Sequence, residues 1–291
     1  MVNLEAFQNL PAHEVASLVR SSGTKVCAFP TDGTRRWYLL EHPGESSMEN
    51  FLNIEMKRHI ELYKLFFDYG IDTILAPVVR PDLMDRKDGY WQGALKGLAL
   101  MANHPDFLGF YGDYDVRLHI YGEYRDYLHN EGYEDLLECF DEIASITRFR
   151  KGHHLFFGLF MGDPTESITK LTVDFYLKNG MVPDKRELIE MFYGEYVGPV
   201  DIFIGFGRHC IHDAPLLLGN EDLYFTLSPS LYMTQQLLRI ILYDHLYKKQ
   251  ESMLDYSCLG SEEKEKMRKY YHGKSNEVFR LGENQGVLMH F

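Results

Sequence analysis

Between Lys25 and Glu41 the chain reads KVCAFPTDGTRRWYLLE. An apolar, β-branched run ends at Pro30, and Asp32, Gly33, Thr34, Arg35 and Arg36 follow almost at once. A strand ending at Pro30 and a helix opening near Thr34 would bring these groups to one point. Gly33 lets a ligand approach the backbone closely. The free amide N–H groups of a first helical turn attract an anion, and the helix dipole reinforces them. Arg35 and Arg36 add permanent forked donors suited to phosphate oxygens. Asp32 is the odd member, because a bare carboxylate repels phosphate unless a divalent metal bridges the two or a proton neutralises it. The set suits a diphosphate, with or without Mg²⁺ held by Asp32. The same residues also fit a plainer role, with Asp32 as a helix N-cap and the arginines on a solvated face.

The elements that must position them are legible as alternating runs. Residues 25–30, 72–79, 115–122, 154–162, 200–207 and 222–229 are short and rich in Val, Ile, Phe and Tyr. Being apolar on both faces, they read as strands covered by helices on each side. Helical spacing appears over 47–69, 88–103, 133–145, 164–178, 183–196 and 231–249. This alternation predicts an α/β fold with a central, mainly parallel six-stranded sheet flanked by helices. No repeat, linker or low-complexity tract interrupts it, so residues 1–291 read as one domain with a charged tail from about 250.

Composition excludes several classes. The chain has 30 Lys plus Arg against 43 Asp plus Glu, a formal charge of −13, and gains nothing from counterion release on a nucleic acid. The start MVNLEAFQNLPAHEV has no basic segment followed by an apolar one, and no apolar run approaches the roughly 20 residues of a membrane span. A soluble, cytoplasmic protein is expected. Cys27, Cys139, Cys210 and Cys258 are far apart and suggest buried free thiols. His153 with His154, and His209, Cys210, His212 and Asp213, match no standard zinc ligand spacing, and adjacent histidines on a strand face opposite ways.

FPTDGTRRW resembles the DGNxRW motif that opens the cis-prenyltransferases, the undecaprenyl diphosphate synthase family. DVRLHIYGE, VDIFIGFG and EDLYF resemble later blocks of that family in the same order. The stretches DLMDR (82–86), MFYGEYVGPVDIFIGFGR, LYFTLSPSLYMT and LRIILYDHLY extend the resemblance to terpenyl-transferring members over roughly residues 1–250. Gly194, Glu195 and Tyr196 fall within it, with no role readable from their chemistry. The resemblance implies that Asp32 handles Mg²⁺ and that the turn of Gly33 and Thr34, with Arg35 and Arg36, holds an allylic diphosphate. It also implies a homodimer. Chain-elongating members carry, after the fifth strand, two arginines, a Gly-Glu and a Ser-Asn that bind the diphosphate of a second substrate, isopentenyl diphosphate. Here Gly205 takes the first arginine's place, and FGRHCIHDAP runs two residues shorter. Arg208 remains a candidate phosphate ligand or a surface arginine.

The resemblance thus implies an enzyme that ionises an allylic, diterpenyl (C20) diphosphate and passes the carbocation to a nucleoside such as adenosine, or to water. Collapse to an olefin, cis-prenyl elongation, and a noncatalytic partner subunit are the alternatives; retention of Asp32, Arg35 and Arg36 favours catalysis. A carbocation needs a dry pocket with π faces, for which Trp37, Tyr38 and Phe51 are candidates, each equally at home in a core. Asp82, near the second strand's end, is a candidate general base or acceptor contact, or a helix N-cap.

Overall fold

Six runs of β-branched and aromatic residues become strands: β1 (Val26–Ala28), β2 (Thr73–Val79), β3 (Val116–Tyr121), β4 (His153–Leu159), β5 (Ile202–Phe206) and β6 (Asp222–Thr226). The computed structural model describes residues 3–45, 47–86, 89–207, 211, 214–247 and 259–274. All neighbouring strands pair in parallel, in the order β3-β4-β2-β1-β5-β6. After β1 the chain crosses to β2 on one side, and after β5 to β6 on the other. The β1/β5 boundary is therefore a topological switch point, where open α/β sheets form their crevice.

Before the first strand lie α1 (Leu4–Gln8) and α2 (Ala12–Ser21). Two helices, α3 (Thr34–Glu41) and α4 (Met48–Asp68), link β1 to β2. Three more lead to β3: α5 (Pro81–Met84), α6 (Tyr90–Asn103) and α7 (Pro105–Asp113). The crossover to β4 carries α8 (Arg125–Asn130) and α9 (Glu134–Thr147), and that to β5 carries α10 (Pro164–Asn179) and α11 (Lys185–Tyr193). Last come α12 (Gln235–Tyr247) and the charged, largely exposed α13 (Ser261–Lys274).

Strand alternation sends side chains to two cores. Cys27, Phe29, Ile74 and Ile204 join the larger one with α4, α6 and α7; Val26, Ala28, Leu75 and Phe203 join the smaller one with Tyr193 of α11. Both faces are covered, which accounts for the near-continuous apolar strand sequences.

Local chemistry sets the helix ends. The Ser47 hydroxyl accepts the Asn50 N–H at 3.3 Å and opens α4. Asp184 and Glu187 form a reciprocal capping box for α11, which stops at Gly194 with φ +85°, short of the expected 196. Residues 231 and 232, expected to begin the long apolar helix, belong instead to a 3₁₀ turn at Ser230–Tyr232, and α12 starts at Gln235. That turn has other work, because Ser230 is bonded to the Asp32 backbone.

Candidate active site

The turn after β1 is pinned from both sides. Thr31 N–H donates to the Pro77 carbonyl at 3.1 Å; Asp32 N–H donates to Ser230 Oγ at 3.2 Å. Ser230, fully buried, returns two bonds to the Asp32 carbonyl, from N–H at 2.9 Å and from Oγ at 3.0 Å. Gly33 then adopts φ +70°, and a Cβ there would lie 2.8 Å from Arg36 Nη2 and 3.1 Å from Pro229 Cβ. Conformation and space both require glycine. Gly33, not Asp32, is the N-cap of α3, and no side chain caps this helix. The first turn of α3 thus faces the cavity with no capping side chain, and the Asp32 carboxylate is not used as a cap.

Around this turn the structure gathers cations from other elements. Arg80 follows β2, and Arg86 follows α5; both line the same cavity as Asp32, Arg35 and Arg36. The Arg86 guanidinium lies 4.2 Å from the Tyr90 ring centroid and that of Arg35 lies 5.9 Å from it. A chain of net charge −13 thus concentrates four arginines at one mouth. Asp82, at the second position of α5, also lines the mouth; its carboxylate accepts two bonds from Arg80, both 3.1 Å, and is 65% exposed. Arg80, not Asp82, is the N-cap of α5.

Mouth and interior form one cavity of about 720 Å³, whose inner part runs between α4 and α6, walled by Phe51, Leu52, Met56, Leu98, Met101 and Phe107. Phe51 lines this cavity. Trp37 and Tyr38 do not: helical spacing puts Arg35, Arg36 and Leu39 on the cavity side of α3 and turns Trp37 and Tyr38 into the core. There Tyr38 packs edge-on against Phe51, centroids 5.2 Å apart.

Two titratable residues interrupt the apolar wall. Glu55 and His59, one turn apart on α4, both line the cavity. Burial pushes the Glu55 carboxyl up to about 7 despite a hydrogen bond with the Thr34 side chain. Thr34 is also bonded to the Tyr90 hydroxyl. An ionised carboxylate only accepts, so the Thr34 hydroxyl donates to Glu55. Burial, with Arg58 nearby, pushes the His59 imidazole down to about 4. One His59 ring nitrogen bonds the Glu55 carbonyl, whereas Nε2 is buried without a partner.

At the opposite end of the sheet a second polar cluster explains Glu195. Arg117 Nη1 lies 2.9 Å from one Glu195 oxygen; His154 Nδ1 at 2.5 Å and His119 Nε2 at 2.9 Å approach the other. His153 stacks on Phe67 at 4.1 Å, so the adjacent histidines do face opposite ways. These partners hold the Glu195 carboxyl well below the usual carboxylate range, against the cost of burial. A depressed carboxyl stabilises the fold fully above its ordinary value of 4.5 and loses that contribution as pH falls below it. Glu195→Gln should therefore cost about 1.5–3 kcal/mol at pH 7, with the gap from wild type narrowing under acid. Urea unfolding of both proteins at pH 7 and pH 4 measures this.

The strand β5 carries Gly205 opposite Phe225 of β6, and any Cβ there would collide with the Phe225 ring. A longer side chain has no room at that position. Arg208, His209, Cys210, His212 and Asp213 lie outside the described residues.

Glu55, His59, Arg80, Arg86 and Tyr90 belong to the site although nothing in the sequence marked them individually. The one available signal was Phe51, Glu55 and His59 at intervals of four, polar groups inside an otherwise apolar helical stripe.

The chain is 38% identical over 285 residues to the tuberculosinyl adenosine transferase of Mycobacterium tuberculosis (strain CDC 1551 / Oshkosh), covering 97% of this chain and 96% of that protein. It is 22% identical over 247 residues to the (+)-kolavelool synthase of Herpetosiphon aurantiacus, covering 84% and 82% respectively. The crystal structure of lavandulyl diphosphate synthase from Lavandula x intermedia, in complex with dimethylallyl diphosphate, superposes with a TM-score of 0.62 at 13% identity, covering 77% of this chain and 95% of that one. This likeness supports the fold. No protein-family model matches the chain.

Proposed function

The chain belongs to the cis-prenyltransferase-like family that includes the mycobacterial tuberculosinyl adenosine transferase, and from that premise we propose that it ionises an allylic diterpenyl diphosphate and hands the carbocation to a neutral acceptor, a nucleoside or water. The observation that carries this reading is one continuous space of about 720 Å³, in which an anion cradle at the start of α3 with four arginines opens directly onto apolar walls. That volume falls within the range of small-molecule sites.

Ionisation breaks the bond between the allylic carbon and the diphosphate oxygen, with the electron pair leaving on oxygen. Arg35, Arg36, Arg80, Arg86 and the α3 amides are fixed where that charge grows, so they act more strongly on the transition state than on the substrate. The apolar walls exclude water from the cation. Among the described residues no hydrogen bond or ion pair engages the Asp32 carboxylate, which stands at the mouth as a hard oxygen ligand. That fits Mg²⁺, which is commonly held by one or two carboxylates plus substrate phosphates. Asp32 would hold the ion, which when bound supplies neutralisation of charge on the diphosphate.

Arg35→Ala and Arg36→Ala should each weaken inorganic diphosphate binding by about 1.5–3 kcal/mol, since each removes a charged contact. Unchanged affinity in both variants by calorimetry would return the arginines to a solvated face. The reading extends to a cytoplasmic homodimer, tested by sedimentation of the purified chain. No helix among the described residues is long and apolar enough to cross a membrane. The activity itself is tested by incubating the chain with allylic diphosphates of increasing length, with and without adenosine, and identifying products by mass spectrometry.

A further inference from the structure

The candidate acceptors differ in one respect that the cavity addresses. A nucleoside ring nitrogen attacks a cation with a lone pair and has no proton to lose. Water must lose a proton after attack, and collapse to an olefin removes one from carbon. A proton acceptor built into the donor cavity is needed only for the last two.

Such an acceptor is present. Glu55 and His59 occupy successive turns of one face of α4, set among Phe51, Leu52 and Met56 in the cavity wall. The Thr34 hydroxyl, at the first position of the helix that opens the proposed diphosphate cradle, donates to Glu55. This places Glu55 where the apolar cavity meets the ionisation turn. His59 is 9% exposed, and its Nε2 is buried without a partner. With its other ring nitrogen donating to the Glu55 carbonyl, Nε2 carries a lone pair and no proton. A buried, unpaired acceptor costs stability, which a purely structural role does not explain. Arg58, the neighbouring cation on α4, is occupied elsewhere, donating to the Leu231 and Met233 carbonyls at 3.0 and 2.7 Å and to Glu61 at 2.8 Å.

We propose that Glu55, positioned by Thr34 and backed by His59, accepts the proton that ends the reaction, so that this chain releases a terpenoid alcohol or olefin and needs no nucleoside. The proposal rests on the ionisation described above. In the alcohol branch, a water oxygen lone pair forms the new C–O bond and one water proton passes to the Glu55 carboxylate. In the olefin branch, the electron pair of an adjacent C–H bond becomes the second bond of C=C and that proton passes to Glu55. Either way Glu55 returns to the carboxylate by releasing its proton to solvent, and no oxidant or reductant is involved.

Thr34 is bonded to Glu55, and the titratable and charged groups that share its cavity are Asp32, Arg35 and Arg36 at the mouth, Arg80, Asp82 and Arg86 from the β2 crossover, Tyr90 from α6 and His59 on its own helix. None of them puts a cation directly on the carboxyl, so burial dominates. Product formation should rise with pH through about 7, as the carboxylate form becomes populated.

The test uses the full chain and a C20 allylic diphosphate carrying isotopically labelled oxygen at the carbon–phosphate bridge. Wild type should give alcohol or olefin without adenosine, and added adenosine should not divert it. Glu55→Gln should lower net product about a hundredfold and flatten the pH profile. Ionisation should persist in that variant, so that the ion pair recombines and the label moves into non-bridging positions of recovered substrate. Glu55→Leu, which fills similar space without a polar group, should behave in the same way if the Gln variant folds poorly. Unchanged product yield, or loss of label exchange together with product, would overturn the proposal, as would wild-type product that appears only with adenosine. Absence of any diphosphate release from wild type would instead strike the underlying ionisation reading.

Discussion

Replacing Asp32 with Asn should leave the chain folded and cut turnover of an allylic diphosphate by roughly 10²–10³-fold, the range for losing one preorganised electrostatic contact. The fold should survive because the contacts that pin this turn use backbone atoms: Asp32 N–H to Ser230 Oγ, and Ser230 N–H and Oγ to the Asp32 carbonyl. No hydrogen bond or ion pair of the carboxylate among the described residues is sacrificed, and Asn keeps its shape. What disappears is the negative oxygen that offsets a divalent ion at the mouth. The Asn variant should therefore need more Mg²⁺ for whatever activity remains, while its thermal midpoint stays near wild type. Wild-type product formation in this variant would remove Asp32 from the chemistry.

Saturating isopentenyl diphosphate should neither be consumed nor lengthen the prenyl chain, while release of diphosphate from the allylic donor continues. Chain elongation needs a second diphosphate clamp, and β5 is ill-suited to one. Gly205 faces Phe225 in register, with no room for even a methyl group, so no arginine can project there unless the ring moves. The described cations of the site cluster instead beyond β1 and β2. Elongated product by mass spectrometry, at a rate comparable with alcohol, olefin or adduct formation, would show that residues elsewhere had rebuilt the clamp.

The turn after β1 was readable in sequence because Asp32 to Arg36 are contiguous and sit at a strand end, where local rules suffice. The sheet was readable for a related reason: strands covered on both faces are apolar throughout, and residues 72–79 and 200–207 announced β2 and β5 closely. Helix ends were less legible. The apolar pattern over residues 231–249 hid the 3₁₀ turn at Ser230–Tyr232, whose shape is set by a bond to Asp32, 198 residues away. The rest of the mouth was hidden because Arg80, Arg86 and Tyr90 come from other elements and meet only through the β2 crossover. Glu55 is desolvated only because elements distant in sequence, among them Tyr90 and Ala94 of α6, close the same cavity. Trp37 and Tyr38 show the opposite case: their neighbours on α3 face the cavity, and the helical period turns these two inward. Glu195 had no visible partner in sequence, since Arg117, His119 and His154 reach it from two other strands.

The central claim is that this chain alone ionises an allylic diterpenyl diphosphate at the β1 turn. The direct measurement is inorganic diphosphate released from a C20 allylic diphosphate by the purified protein with Mg²⁺, followed in time, with the hydrocarbon product identified by mass spectrometry. Stoichiometric release of diphosphate and a C20 alcohol, olefin or nucleoside adduct, lost in the Asp32→Asn protein, is the predicted result. Intact substrate after prolonged incubation of a well-folded chain that still binds diphosphate would contradict it.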